Sequence, residues 1–152
     1  MSRQTIVRST TAILRVMCGV LVLCLTSSSV WAQGKAEKVF HALATDTKGI
    51  ETDVKNVMFY WEEKVSETAF VPHELREVPV KRGTATVKIK FEAIKQIDLK
   101  STGSGTPPNV TITLNDGKTG EFVLAMAGSF KGQSDFGEVE LPAAELKKLT
   151  FK

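Results

Sequence analysis

The chain has 152 residues, of which 42% are hydrophobic and 24% charged, a composition typical of a globular domain. Its 20 basic and 17 acidic side chains give a formal net charge of +3 at pH 7. Three of the basic residues, Arg3, Arg8 and Arg15, lie in residues 1–32, which contain no acidic residue, so the rest of the chain carries 17 of each sign. A neutral domain has no long-range field that attracts phosphates, which argues against nucleic acid as a partner.

Residues 1–32 are predicted to be a cleavable signal peptide. The arginines are followed by an apolar run over residues 16–25 and then by small polar residues, the order that an export signal has. Val30 and Ala32 fit the −3 and −1 positions of a cleavage site, so we predict cleavage after Ala32. The apolar run is shorter than the ~20 residues that span a bilayer, and we expect no stable transmembrane span after processing. An uncleaved N-terminal anchor is the alternative.

Both cysteines, Cys18 and Cys24, lie in the predicted leader, so the mature domain is expected to have no disulfide. Met17 and Leu23 precede them where a lipoprotein signal has a small residue, and we interpret both cysteines as apolar leader residues. The leader has no Arg-Arg pair, which favours the general secretory route. The predicted location is periplasmic or secreted, and a Gram-negative periplasm is favoured.

The segment from Ile50 to Val65 fits two kinds of secondary structure. Its apolar residues fall at helical spacing: Ile50, Val54, Val57, Met58, Trp61 and Val65. Val57, Phe59 and Trp61 also alternate with more polar neighbours, as in a strand. We predict a strand and keep a helix as the alternative. The turn at residues 46–49, Asp-Thr-Lys-Gly, is expected to precede it.

Further along the first half, Pro72 and Pro79 enclose a segment that is poorly suited to a central strand, because proline has no N–H for the ladder. Val87 and Ile89 then alternate with two lysines, which predicts a strand with one face in the core and one in water. Residues 101–108 are rich in Ser, Thr, Gly and Pro and are predicted to be a linker.

The second half shows the same strand chemistry with clearer turns. Strictly alternating residues 110–114 predict a half-buried strand, and Asp116-Gly117 supplies the positive φ of a tight hairpin. Residues 138–141 predict another strand, which Pro142 ends. A single 3₁₀ turn over residues 143–145 and a last strand over residues 146–151 are expected to follow.

The two halves resemble each other. Residues 86–100 align without a gap with residues 138–152, and the apolar positions stay in register. We predict a tandem repeat of a small β-unit; chance similarity of two alternating segments is the alternative. The predicted fold is all-β, with two similar small antiparallel β-units, sandwich or barrel-like, packed together. The first unit covers residues 33–100 and the second residues 109–152.

The second half, with Asp116-Gly117, a Gly turn over residues 132–137 and a closing Leu141-Pro142 followed by residues 146–151, resembles small SH3-like or Sm-like barrels. It is also similar to uncharacterised bacterial exported β-domains. The resemblance implies a small barrel. It covers turn motifs only, so it carries over no functional residue.

The sequence predicts neither a metal site nor a cofactor. His41 and His73 are the only histidines, and a zinc or copper site usually needs three or more strong ligands. His41 is expected at a strand edge. His73-Glu74 lacks the second histidine of a metalloprotease helix.

Catalytic motifs are also absent from the mature sequence, which has no cysteine and no Gly-x-Ser-x-Gly elbow. Residues 135–137, Asp-Phe-Gly, are interpreted as a turn. Glu62 and Glu63 are adjacent, so on a strand they point to opposite faces and cannot act together as an acid/base pair. An enzyme, such as a small hydrolase, is kept as a less favoured alternative.

One cluster of side chains is a candidate binding site: Phe59, Tyr60 and Trp61, joined by Phe70. On a strand, Tyr60 takes the face opposite Phe59 and Trp61, so an aromatic ring is expected outside the core, where such rings anchor interfaces. The alternative is that Phe59 and Trp61 fill the core. The sequence therefore favours an exported, non-catalytic interaction module with another envelope protein as its expected partner. A structural or assembly accessory of an envelope complex is the alternative.

Overall fold

A computed structural model describes residues 37–101 and 106–152. The predicted leader and its cleavage after Ala32 lie outside the described residues, as do residues 102–105 of the predicted linker. Residues 38–152 form one compact unit. No helix in the described ranges is long and apolar enough to cross a membrane.

The described residues confirm the predicted all-β class. They form eleven strands, β1 (His41–Asp46), β2 (Glu51–Lys64), β3 (Phe70–Leu75), β4 (Glu77–Arg82), β5 (Ala85–Lys90), β6 (Ile94–Lys100), β7 (Asn109–Leu114), β8 (Thr119–Leu124), β9 (Ser129–Ser134), β10 (Gly137–Pro142) and β11 (Leu146–Phe151). Two 3₁₀ turns, Phe91–Ala93 and Ala143–Glu145, precede β6 and β11. The second turn and the end of β10 at Pro142 agree with the prediction.

All strands pair antiparallel in one sheet, in the order β10-β9-β2-β1-β11-β6-β7-β8-β4-β5, with β3 on β2 beside this path. The order is symmetric about the contact between β11 and β6, where Leu149 lies opposite Ile97. Five ladders join strands of the two predicted halves, including β2 to β9 and β4 to β8. The two halves are therefore interleaved in the sheet. The tandem repeat itself stays a prediction.

Local side-chain chemistry fixes two of the turns. Gly117 has φ +87°, and the Asp116 carboxylate accepts a hydrogen bond from the Lys118 N–H at 3.0 Å. Asp46 does the same at the β1–β2 turn, where it accepts from the N–H groups of Lys48 and Ile50. These Asx interactions replace ladder bonds where the chain reverses, which is why Asp precedes both turns.

The segment that fitted both a helix and a strand is the long strand β2, so the helical alternative is wrong. A bulge explains the helical spacing. The register with β9 shifts between Lys55 and Met58, and Asn56 has φ +56°. The extra residue puts Val54 and Val57, three positions apart, on the same buried side.

The two prolines behave differently. Pro72 lies in β3, which pairs only with β2 among the described strands, as the sequence suggests. Pro79 lies in β4, which is paired on both sides, so the expectation of a non-central segment is wrong there. The β4–β8 ladder joins only Val80 and Lys81 to β8. The Pro79 carbonyl accepts from the Ala125 N–H, just beyond the end of β8. Proline has no N–H to return this bond, and the ladder ends at this point.

The sheet encloses one core to which both halves contribute. Its largest fully buried side chains include Phe59 of β2, Phe91 of the first 3₁₀ turn and Phe130 of β9. Each such side chain stabilises the fold by about 1.5–3 kcal/mol through burial. No polar or charged residue in the described ranges is buried. The polar and charged side chains of the described residues are therefore all at least partly exposed.

Candidate functional site

The β2–β3 hairpin contains the longest of the described strands. β2 has 14 residues; its first half pairs with β1, and residues 59–64 pair with residues 70–75 of β3. Residues 62–72 are all exposed. The hairpin thus begins in the core and ends in solvent.

Cross-strand register divides the hairpin into two faces. The core-side face carries Phe59, Trp61 and Glu63 opposite Leu75, His73 and Val71. The outer face carries Tyr60, Glu62 and Lys64 opposite Glu74, Pro72 and Phe70. The four aromatic residues that the sequence singles out are therefore split between two faces.

Phe59 belongs to the core. Its side chain is fully buried and its ring lies 5.5 Å from that of Phe130, edge to face. A partner cannot reach it, so its role is to anchor the base of the hairpin.

Trp61 lies at the boundary between core and solvent. It is half-buried, packs against the core cluster and stacks on the His73 ring, with centroids 4.3 Å apart and planes at 12°. The His73 Nε2 atom lies 3.1 Å from Glu63 Oε2. The Trp61 Nε1–H is buried and finds no acceptor among the described residues. An unsatisfied buried donor costs about 1–3 kcal/mol, which the packing of the indole ring must offset.

Tyr60 is held on the outer face by charged neighbours. Its hydroxyl donates to Glu62 Oε1 at 2.5 Å, and the Lys131 ammonium lies 3.3 Å from the centre of its ring. Lys131 also pairs with Glu140 at 3.3 Å. The hydrogen bond to Glu62 raises the pKa of Tyr60 to about 12, with smaller contributions from burial and from the charges of Glu62, Glu140 and Glu74.

Phe70 is the aromatic residue of the cluster that faces solvent, with 54% of its surface exposed. Val71, the next residue in the chain, and Val65, on the other side of the bend at residues 66–68, are also exposed. Sequence reasoning missed these two valines. Their signal is the position of large apolar residues close to a Ser-Glu-Thr turn at residues 66–68: Val65 directly precedes it, and Val71 lies three residues after it.

The apolar end is surrounded by negative charge. Residues 59–75 contain the four glutamates 62, 63, 67 and 74 and a single lysine. Glu62 points to Tyr60 and Glu63 to His73, so the two adjacent carboxylates lie on opposite faces, as expected for a strand. Their arrangement offers recognition and not paired acid/base chemistry.

The other residues weighed from sequence lie apart from this hairpin end or are used structurally. His41 is exposed on β1, opposite Lys55. Residues 135–137 form the β9–β10 turn, where the Phe136 side chain is fully exposed. Within residues 37–101 and 106–152, no three His, Cys, Asp or Glu side chains are grouped closely enough to hold a metal ion.

A protein-family model described as "Uncharacterised protein" matches residues 36–152. The chain belongs to this family. The matched region contains all of the described strands and both 3₁₀ turns, so the match covers the whole β-sheet unit. No curated protein matches the chain at a significant level.

Proposed function

We propose that the protein is an exported, non-catalytic binding module that docks on another protein through the end of its β2–β3 hairpin. The observation that carries this proposal is the exposure of three apolar side chains at that end, Phe70 on the outer face, Val71 on the opposite face and Val65 beside the bend, at 54%, 41% and 57%. Burial of exposed apolar surface contributes roughly 25 cal/mol per Å², so three such side chains can anchor a small interface.

The surrounding charge indicates the chemistry of the partner. The hairpin presents four glutamates against one lysine. A complementary surface would have an apolar recess for Phe70 with basic residues at its rim. We therefore expect a protein partner with a positively charged docking surface.

The hairpin is braced before it meets a partner. Trp61 stacks on His73 on one face, and on the other face Tyr60 is held by Glu62 and Lys131. A preorganised element loses little conformational entropy on binding, which leaves more of the contact energy for affinity. Tyr60 and Trp61 are in this view supports of the site, and Phe70 is its contact residue.

Export is the second part of the proposal. It is supported by the order of basic, apolar and small residues in residues 1–32. The family match, which begins at residue 36, just after the predicted cleavage at Ala32, is consistent with it. The sequence lacks a mature cysteine and a serine elbow, and this supports a non-catalytic role. The proposed tandem repeat and the resemblance to SH3-like or Sm-like barrels concern the scaffold and add no residue to the site.

The test is site-specific photo-crosslinking in the native envelope. A benzoyl-phenylalanine replaces Phe70 in one variant and Phe136, another exposed phenylalanine on a distant turn, in a control variant. We expect a discrete cross-linked protein from position 70 that is absent from position 136 and is lost when Val71→Ser is added.

No cross-link at position 70, or the same products from both positions, would overturn the hairpin as the docking site. A stable complex with membrane proteins that survives Phe70→Ser would instead favour an assembly accessory that uses another surface.

A further inference from the structure

A cleft opens on the other half of the sheet, where β4 separates from β8. The ladder between them joins Val80 to Leu124 and Lys81 to Val123 and then stops. Beyond it, the β4–β5 turn that starts at Arg82 diverges from β8 and leaves a cleft of about 380 Å³. This volume is in the range of small-molecule sites.

Three cations line the cleft without partners. The side chains of Lys81, Arg82 and Lys100 have no hydrogen bond or ion pair with any described residue. Glu121 is the one acidic residue of the lining, so positive charge dominates. The domain outside the predicted leader is neutral, and this charge is therefore a local property of the cleft.

The strand order is symmetric, so the β4–β8 cleft can be compared with the β2–β9 contact at the equivalent position of the sheet. There the strands β11-β1-β2-β9 correspond in order to β6-β7-β8-β4. Lys152 binds Asp53 and Lys55 binds Asp135, both at 2.7 Å. The β2–β9 ladder also has four residue pairs, against two for β4–β8. At the β2–β9 position the ladder is longer and the lysines are paired with aspartates. At the β4–β8 position the ladder is short and the cleft is cationic.

The cleft also offers polar and apolar contacts. Asn109 and Thr111 of β7 supply an amide and a hydroxyl, and the exposed Val123 of β8, opposite Asn109, supplies apolar surface. Lys100 and Lys81 lie at the two ends of one cross-strand row, three strands apart, which corresponds to about 14 Å between their Cα atoms. Their long stems can therefore reach a ligand from opposite sides.

We propose that the β4–β8 cleft binds a phosphorylated small molecule. A guanidinium pairs with two phosphate oxygens at once, and two flanking ammonium groups neutralise the remaining charge. The exposed Val123 side chain, in the same cross-strand row as Lys81 and Lys100, would then contact the uncharged body of the ligand. This site is separate from the β2–β3 hairpin and does not depend on the docking proposal.

The test is calorimetry and amide-shift mapping by NMR on the purified protein with tripolyphosphate, and with citrate as a carboxylate of comparable charge. We expect tripolyphosphate to bind at low salt, to shift amides at Arg82, Gly83 and residues 109–111, and to bind at least tenfold more tightly than citrate. Affinity should fall as the salt concentration rises. No binding of tripolyphosphate, shifts elsewhere on the sheet, or equal binding of citrate would overturn the proposal.

Charge-matched variants separate a built site from general attraction. The triple variant Lys81→Gln, Arg82→Gln, Lys100→Gln should lose at least tenfold in affinity. The control Lys95→Gln, Lys147→Gln, Lys148→Gln removes the same charge from other unpaired lysines and should stay within twofold. Equal losses in both would overturn the site, and circular dichroism verifies that each variant is folded.

A last arm distinguishes the source of the phosphate. Sedimentation with phosphatidylglycerol vesicles that depends on the three cleft cations would overturn a soluble ligand in favour of a lipid headgroup. Binding of tripolyphosphate in solution, with no vesicle sedimentation that depends on these cations, supports the soluble ligand.

Discussion

Gly132 of β9 is the position where the packing makes the sharpest prediction. A Cβ atom added there would lie 2.4 Å from Val54 Cγ1 and 2.6 Å from the Lys55 carbonyl oxygen. Both distances are far inside van der Waals contact, and the carbonyl belongs to the backbone of β2 just before its bulge. Gly132→Ala can therefore be accommodated only if β9 and β2 move apart.

The expected magnitude follows from two opposing effects. Overpacking of this kind costs about 1–3 kcal/mol. Replacement of Gly by Ala reduces the entropy of the unfolded chain and returns about 0.4–1 kcal/mol. The net loss is thus about 1–2 kcal/mol in the free energy of unfolding. Strand propensity alone predicts the opposite sign, because Gly weakens a strand interior.

Urea unfolding followed by Trp61 fluorescence measures this loss. With a slope of about 2 kcal/mol per M, the midpoint of Gly132→Ala should fall by roughly 0.5–1 M. The control is Gly120→Ala, whose Cβ would meet only the outer ring atoms of Phe122, at 2.6 and 2.8 Å. That ring can turn away, so the midpoint should change little. A Gly132→Ala protein as stable as the wild type would refute the close approach of β9 to β2.

Three further predictions concern the hairpin. Tyr60 is the only tyrosine, so absorbance at 295 nm should show a tyrosinate midpoint near pH 12 instead of 10. Because folding raises the pKa of Tyr60, the hydrogen bond to Glu62 stabilises the fold fully below pH 10, and this contribution is lost as the pH rises to 12. Glu62→Gln should lower the tyrosinate midpoint. A wild-type midpoint near pH 10 would contradict the hydrogen bond. Trp61→Phe should leave thermal stability equal or higher, because it removes the unsatisfied Nε1 donor, whereas Trp61→Ala should lose about 3 kcal/mol or more; a large loss in Trp61→Phe would show that the donor is satisfied. Phe70→Ser and Phe136→Ser should both unfold within ~0.5 kcal/mol of the wild type, and a larger loss for Phe70→Ser would mean that its ring packs within the fold.

Local chemistry made the turns and the strand ends predictable. Asp116-Gly117 needs only its own φ and one Asx hydrogen bond, and Pro142 stops β10 because it lacks an N–H. The order of the strands was not predictable in this way, because ladders such as β2 to β9 depend on residues far apart in the chain. The bulge at Asn56 also concealed the strand period, since it places Val54 and Val57 on one side.

The candidate site was only partly predictable for a similar reason. Alternation predicted that Tyr60 and Trp61 lie on opposite faces, but not how far the core extends along β2. The core ends between the base and the end of the β2–β3 hairpin, and for this reason Phe59 is fully buried while Phe70 is exposed. The cations of the cleft come from β4 and β6, so no local pattern of Lys81 and Lys100 could indicate that they share a groove.

The place of β11 in the sheet has a consequence for the order of folding. β11 is the last strand along the chain, yet it lies between β1 and β6 near the middle of the sheet. During synthesis, β1 must wait for a neighbour that is more than one hundred residues away, since its Ala42 pairs with Phe151. Contacts of such large sequence separation form slowly. We therefore expect the central ladder to form late in folding, after local hairpins such as β7–β8.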